Sequence, residues 1–544
     1  MRTRAVRFLA GNRLFSLAFG LGAALRLVTM LAFPPAIWYG GDSVSYVNSG
    51  LHMWPGTSRE SGYGVFLEIL HPFHSFALVT TVQHLTGLAM SVLIYALLRH
   101  RYRLPGWGAT LATVPVLLDP YVIQLEQEIL ADSLFTFLCV LAVVLVLWWP
   151  DRERPAWSLP AAAALLGIAS AFWPVGLPLL IVLLVYMIIR WVGWRKLVAT
   201  AIAGAVPLLA YAGWFDIRYH HPGFNTSDGV FLWSRTMTFA NCQVIKPPAD
   251  LRPLCPTTPV SDRQEAPFYI WEANSPLLKV GGTGGSQFTR TRNALARKFA
   301  IKAIEAQPLD YAGAVLHGWL LTFSWDRPQI PSRSMAIRYQ FTDATQALNT
   351  LGGGPSTAIA LNRVENQYTG GHGAATREVQ PFADVMIGYQ RYLYMRGTML
   401  GVLMLIGLGG IVVSWRGGGL RRRRNWGGPA LFPWVAALTM EVVPPATADF
   451  SLRYVVPTIP VICITAALAF ARPLRGPDEA AEAAAAGPLA VAPGQPAIPG
   501  QPAVPGQAQA PAAELPDLAP ADSAAAGGTS GGAESTGQAG TTAS

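Results

Sequence analysis

The chain has 544 residues, of which 13 % are charged and 51 % hydrophobic. Soluble domains carry about 25 % charged residues, so this composition excludes an ordinary soluble protein and marks a polytopic membrane chain. The net charge of +9 does not point to nucleic acid, because Lys and Arg gather in short loops between apolar runs, as the positive-inside rule describes.

The N-terminus carries Arg2, Arg4, Arg7 and Arg13 and is expected in the cytoplasm. The first apolar run, Leu14 to Phe33, is long enough to span, and no small-residue cleavage site follows it, so it reads as a retained helix. It delivers the stretch Trp38-Tyr39-Gly40-Gly41-Asp42-Ser43-Val44-Ser45-Tyr46 to the outer side. If the chain turns helical there, Asp42 and Tyr46 share a face. A carboxylate at the rim of a membrane cavity is costly to place and is a functional candidate, although Asp also caps helices well. Residues 50 to 77 are too broken to span and suit the interface. They carry Arg59 and Glu60, and also His71 and His74, which are three apart and could ligate a metal from one helical face, although Pro72 lies between them and interfacial histidines are common.

Spans two to four are expected at Leu78–Leu98, from Trp107 to Leu118, and up to Trp149. Between the last two, Glu126, Glu128 and Asp132 return to the outer face. Spans five and six, Leu159–Phe172 and Val175–Ile189, form a hairpin through Trp173-Pro174, and span seven runs from Leu197 to Phe215. Residues 216 to 394 form the one large polar region, expected outside, where Cys242 and Cys255 can oxidise to each other. Within it, Gly281 to Ser286 reads as a flexible loop. Arg290, Arg292, Arg297, Lys298 and Lys302 alternate with Leu295, Phe299, Ile301 and Ile304. That pattern is a basic amphipathic helix, lying either on a membrane surface or on the solvated face of a domain.

Tyr311 to Trp325 is apolar, but a span there would place Arg416 and the run Arg421 to Arg424 outside, so it reads as interfacial or re-entrant. Met399–Val413, Ala430–Val443 and Val455–Ala471 complete about ten spans. The last short outer loop ends in Arg453-Tyr454. From Pro473 the composition collapses to Ala, Pro, Gly, Gln and Ser, as in a disordered cytoplasmic tail. The fold class is therefore all-α and polytopic, with one large extracytoplasmic α or α/β loop domain. The divisions are a transmembrane module 1–215 with a catalytic first outer loop, a domain 216–394, a second module 395–472 and a tail 473–544.

A carboxylate beside a cation that can hold a phosphate suits group transfer from a lipid phosphate. On Asp42 with Tyr46, on Ala131-Asp132-Ser133-Leu134-Phe135, and on Arg453-Tyr454-x-x-Pro457-x-x-Pro460, the chain resembles the integral-membrane C-type glycosyltransferases. These use polyprenyl-phosphate sugars, and include protein O-mannosyltransferases and aminoarabinose transferases. The resemblance covers roughly residues 1 to 472. It implies that Asp42 is catalytic, that Asp132, Glu128 and Tyr46 orient the acceptor or hold a divalent cation, and that Arg453 and Tyr454 bind the donor phosphate. It implies a polyprenyl-phosphate sugar, the bilayer and an extracytoplasmic acceptor as partners, and a cofactor beyond a divalent cation is unknown. Many members have an acidic pair where this chain has Asp42-Ser43. The alternative is a transporter or ligase-like protein handling lipid-linked saccharides, which would carry ionisable residues at mid-membrane near broken helices.

Overall fold

The computed structural model describes residues 12–471, apart from 151–152, 273, 283–284, 331, 342–353, 372–374 and 417–427. The expected tail 473–544, the run Arg421 to Arg424 and the N-terminal Arg2, Arg4 and Arg7 lie outside the described residues. Each expected span falls on a helix, but their lengths differ. Arg13–Ala32, Phe76–Arg101, Trp194–Tyr219 and Gly397–Trp415 are long and apolar enough to cross a membrane. Asp132–Leu147, Ser158–Ser170, Gly176–Ile189 and Leu452–Leu468 are apolar but shorter, below the roughly 20 residues that a 30 Å core requires of an upright helix. Apolar helices of this number mark a multi-pass membrane protein; among the described residues four are long enough to cross by length and apolarity, or five with the bent pair described next, and the expected count of about ten rests also on the shorter ones.

That pair is Gly106–Leu118 and Pro120–Gln127, bent by 48°. The break is written in the chemistry of Asp119-Pro120. Proline cannot donate to the preceding turn, and the Asp119 side chain accepts from Tyr121 N at 2.8 Å, starting a new helix. All eight residues of Pro120–Gln127 are buried. Glu126, expected on the outer face, instead points inward. It meets Arg26 Nη2 at 2.8 Å and His84 Nδ1 at 2.9 Å. Arg26 also donates to the carbonyls of Val116 and Leu117, the last acceptors of the broken helix. Gly87 makes room for this cluster, since a Cβ there would collide with Glu126 Oε1.

Among the described residues the secondary structure is helical, with one isolated parallel bridge between Ile37 and Glu128. The large polar region therefore shows helices and no strand among its described residues. Val230, Trp233, Leu254, Ile270 and Phe299 build a hydrophobic cluster of their own there, and Cys242 and Cys255 are joined by a disulfide. The helix Arg290–Ala306 spends its apolar face, Ala296, Phe299, Ala300 and Ala303, inside that cluster. That favours the solvated-face alternative over a membrane-surface helix. Arg292 turns inward and donates to the carbonyls of Val280, Gly282 and Ser286, on either side of residues 283–284. Within Tyr311–Trp325, the helix Pro308–Leu321 lies along Leu431–Thr447, with Tyr311 donating to Ala446 O at 2.9 Å and Trp319 to Glu441 at 3.1 Å.

Candidate active site

Asp42 sits in the first turn of the helix Gly40–His52. Two stitches fix where that turn lies. Ile37 N donates to Gln127 O at 2.9 Å and Ile129 N to Ile37 O at 3.0 Å, so the segments leading to Asp42 and to Asp132 run side by side. Ser43 then accepts from Tyr39 N at 2.7 Å and donates to Ile129 O at 2.9 Å. The departure from an acidic pair has a local reason: Ser43 is fully buried, and its hydroxyl both donates and accepts.

Arg453, on the short helix Leu452–Val455, lies between the two carboxylates. Its Nε is 2.8 and 2.9 Å from the two oxygens of Asp132, and its Nη1 is 2.6 Å from Asp42 Oδ2. Asp132 opens the helix Asp132–Leu147 without capping it, because its side chain is turned onto Arg453. Asp42 does not cap its helix either: the capping position is Tyr39. A second guanidinium, Arg59, pairs with the same Oδ2 of Asp42 and rests over the Tyr46 ring, 5.7 Å from its centroid. The expected common face of Asp42 and Tyr46 is thus real, and Arg59 occupies it.

Exposure orders these groups. Asp42 keeps 22 % of its side chain open, Arg59 16 %, Arg453 10 % and Asp132 4 %. A molecule arriving at the site meets Asp42 and Arg59 first, with Asp132 behind. Burial pushes the Asp42 carboxyl up, but Arg59 and Arg453 outweigh it and hold the group below the usual carboxylate range. Glu128 behaves oppositely. It is fully buried, accepts from Gln124 Nε2 at 2.7 Å, and burial pushes it up to about 8. Tyr454 stacks on Trp173 at 5.1 Å. The structure brings Asp42, Tyr46, Asp132 and Arg453 together, and turns the Glu128 and Tyr454 side chains to other partners. His71 pairs with Glu68 at 3.2 Å and His74 bonds Tyr368 O at 2.9 Å. Among the described residues no group of three or more His, Cys, Asp or Glu side chains converges on a metal position.

Next to Arg59 the chain opens into a second feature. Glu60, Asn225, Asp228, Asn293 and Arg297 line a cavity of about 470 Å³ between the outer loop and the polar region. Glu60 accepts from Asn225 Nδ2 at 2.5 Å, and burial pushes its carboxyl up to about 7.

Solved structures supply a comparison. The chain is similar to C-type membrane glycosyltransferases. A protein O-mannosyltransferase complex of S. cerevisiae, Pmt1-Pmt2 bound to the sugar donor, aligns at 16 % identity over 45 % of this chain and 37 % of that one, with a TM-score of 0.31. An oligosaccharyltransferase of Archaeoglobus fulgidus gives 13 % identity, 84 % and 48 % coverage, and 0.38. ArnT from Cupriavidus metallidurans, bound to undecaprenyl phosphate, gives 14 %, 84 % and 76 %, and 0.34. The chain spans less than half the length of the first two. With scores and identities this low, the likeness assigns no residue a role. No family model and no curated protein matches the chain.

Proposed function

We propose that this protein is a membrane glycosyltransferase that moves a sugar from a polyprenyl-phosphate carrier to an extracytoplasmic acceptor. The observation that carries the proposal is the pairing of Asp42 with two guanidiniums, Arg59 and Arg453, at the accessible end of a buried ion network. Arginine forks suit a phosphate as well as they suit a carboxylate. A donor phosphate arriving at Arg59 replaces Asp42 as its partner, and the carboxylate thereby loses one of the two charges that hold its basicity down. It then accepts the proton of the acceptor hydroxyl while that oxygen attacks the anomeric carbon. The bond from that carbon to the phosphate oxygen breaks, and polyprenyl phosphate leaves with the bonding electrons, most simply with inversion. Asp132 holds Arg453 from behind, which makes it a positioning residue. Glu128 stays outside the ion network, and the cavity at Glu60 offers the acceptor a polar approach. A profile of lipid-linked glycans in membranes with and without the protein tests the proposal. Identical profiles would overturn it.

One observation favours the alternative of a transporter. Arg26, His84 and Glu126 form a buried ionic cluster beside a broken helix, the feature expected of an ion or substrate pathway. Here the cluster also ties down the carbonyls that the break exposes, a structural use that needs no transport. Saccharide uptake into vesicles that survives Asp42→Asn, with no glycosyl transfer by either protein, would decide for the transporter.

A further inference from the structure

The cavity beside Arg59 is walled by two segments that are bonded to each other. Thr226 N donates to Thr57 O at 2.8 Å, Ser227 Oγ to Ser58 O at 2.9 Å, and Asn225 Nδ2 to Glu60 Oε1 at 2.5 Å. The stretch that carries Arg59 to Asp42 is thus fastened to the polar region along one edge of the cavity. Glu60 is only 3 % exposed, yet it lines the cavity. The volume of about 470 Å³ lies within the roughly 300–1,000 Å³ of small-molecule sites.

The hydrogen-bonding capacity left on the walls narrows what the cavity can hold. A carboxyl group has about four acceptor positions, and on Glu60 they are met by Asn225 and by its own amide. Asn225 spends Oδ1 on the amides of Ser227 and Asp228, and its Nδ2 keeps one N–H after Glu60. Glu60 and Asn225 therefore offer an acceptor next to a donor. Charge excludes the ionic ligands. Asp228 pairs with Arg297, and Arg290 lines the same cavity. A phosphate would lie against Glu60 and Asp228, and an ammonium against Arg290 and Arg297, so either meets repulsion as well as attraction. A hydroxyl donates and accepts from one atom and fits the acceptor–donor pair without conflict. A peptide is also neutral, but each backbone position offers one role only.

The rest of the lining is apolar. Pro174, Leu177 and Phe224 contribute it, and the Phe224 ring is held flat against Tyr211, 5.3 Å between centroids. A sugar ring has the matching division, with hydroxyls on its rim and C–H groups on its face. We infer that this cavity binds a neutral saccharide, with a hydroxyl bridging Glu60 and Asn225 and a ring face against Phe224 and Leu177. The inference deepens the proposed function and rests on it in one respect: the saccharide is then the acceptor, and its reacting hydroxyl approaches Asp42 past Arg59. Binding itself stands without that reading.

The test presents the full-length protein in detergent to an array of neutral hexose and pentose oligosaccharides, their uronate- and phosphate-bearing counterparts, and Ser/Thr peptides. The expected result is retention on neutral glycans. Ala294 lines the cavity from the exposed side of the helix Arg290–Ala306, so Ala294→Trp fills the space from the surface. Its affinity should fall about tenfold or more, since each hydrogen bond lost weakens binding several-fold. The same substitution at Ala306, exposed at the far end of that helix, should change nothing. No retention on neutral glycans, stronger retention on acidic glycans or peptides, or equal affinity in Ala294→Trp each overturns the inference. Transfer separates it from the reading it deepens. With a retained glycan as acceptor, Ala294→Trp should raise KM and leave kcat nearly unchanged. Retention lost in Ala294→Trp, with no transfer by the wild-type protein, would keep the saccharide site and overturn the transferase. Transfer by Ala294→Trp with the wild-type acceptor KM would keep the transferase and overturn the site.

Discussion

Arg453 Nη1 stands 2.6 Å from Asp42 Oδ2, an ion pair that joins residues 411 positions apart. The same guanidinium holds Asp132, which is nearly closed to solvent. The two carboxylates therefore differ in what their loss should do. Asp42→Asn leaves Arg453 paired with Asp132, so the protein should fold normally while glycosyl transfer falls about 10²- to 10⁴-fold, the range of a general base. Arg453→Gln leaves Asp132 buried without a cation and should cost on the order of 3–5 kcal/mol. Turnover by purified protein, alongside thermal unfolding, separates the two. Full activity in Asp42→Asn would remove the catalytic assignment.

Ser43 offers a sharper check, because the resembled family commonly has a second carboxylate there. The hydroxyl is buried and bridges Tyr39 N and Ile129 O. Ser43→Ala leaves both groups unsatisfied and should cost about 1–3 kcal/mol. Ser43→Asp should cost more, since a carboxylate cannot donate to Ile129 O and would be buried without a cation. Chemical or thermal unfolding of the three proteins ranks them. Ser43→Asp as stable as the wild type would show that the site accepts the acidic pair after all.

Asp42, Asp132 and Arg453 are legible in the sequence because each stands where an apolar run meets polar residues. Arg59 is not. It follows Asp42 by seventeen positions across the turn Trp54-Pro55-Gly56, and no helical or strand period links the two. A cation inside an otherwise broken interfacial stretch was the one available signal. Glu126 misleads for a different reason. Its polar neighbours Gln124, Gln127 and Glu128 read as surface, but Asp119-Pro120 turns the segment back into the protein, where Gln124 pairs with one oxygen of Glu128 and Gln127 with the carbonyl of Phe33. Hydrophobic runs located the helices, while the shorter ones among them are decided by packing, which periodicity does not report.

Glu128 predicts a pH dependence. Its folded carboxyl titrates near 8, against an ordinary Glu value near 4.5. Between those values the folded protein keeps a proton that the unfolded chain releases. The stability of this group is therefore complete below the ordinary value and lost as pH rises through 8, at about 1.4 kcal/mol per pH unit. Glu128→Gln keeps an acceptor for Gln124 and removes the titration. The gap between variant and wild-type melting temperatures should widen from pH 5 to pH 8 in favour of the variant. A constant gap would show that Glu128 does not hold its proton in the folded protein.

The last prediction concerns the two sides of the bundle. The candidate active site and the basic turn at 190–196 lie at opposite ends of the helices Asp132–Leu147, Ser158–Ser170 and Gly176–Ile189, since Asp132 opens the first and Trp173, between the other two, stacks on Tyr454. Those helices have 16, 13 and 14 residues, short for upright crossings at about 1.5 Å per residue. They cross only if the bilayer thins or their ends extend in irregular backbone sheltered by neighbours. By the positive-inside rule the basic residues at 190–196 are expected on the cytoplasmic side. Glu153 and Lys298 are both exposed, and substitution by cysteine at either site should not disturb the core. In intact cells an impermeant maleimide should label Lys298→Cys and spare Glu153→Cys, and permeabilisation should expose the second. Labelling of both in intact cells would mean that the three short helices do not carry the chain across, and that both sites face the same compartment.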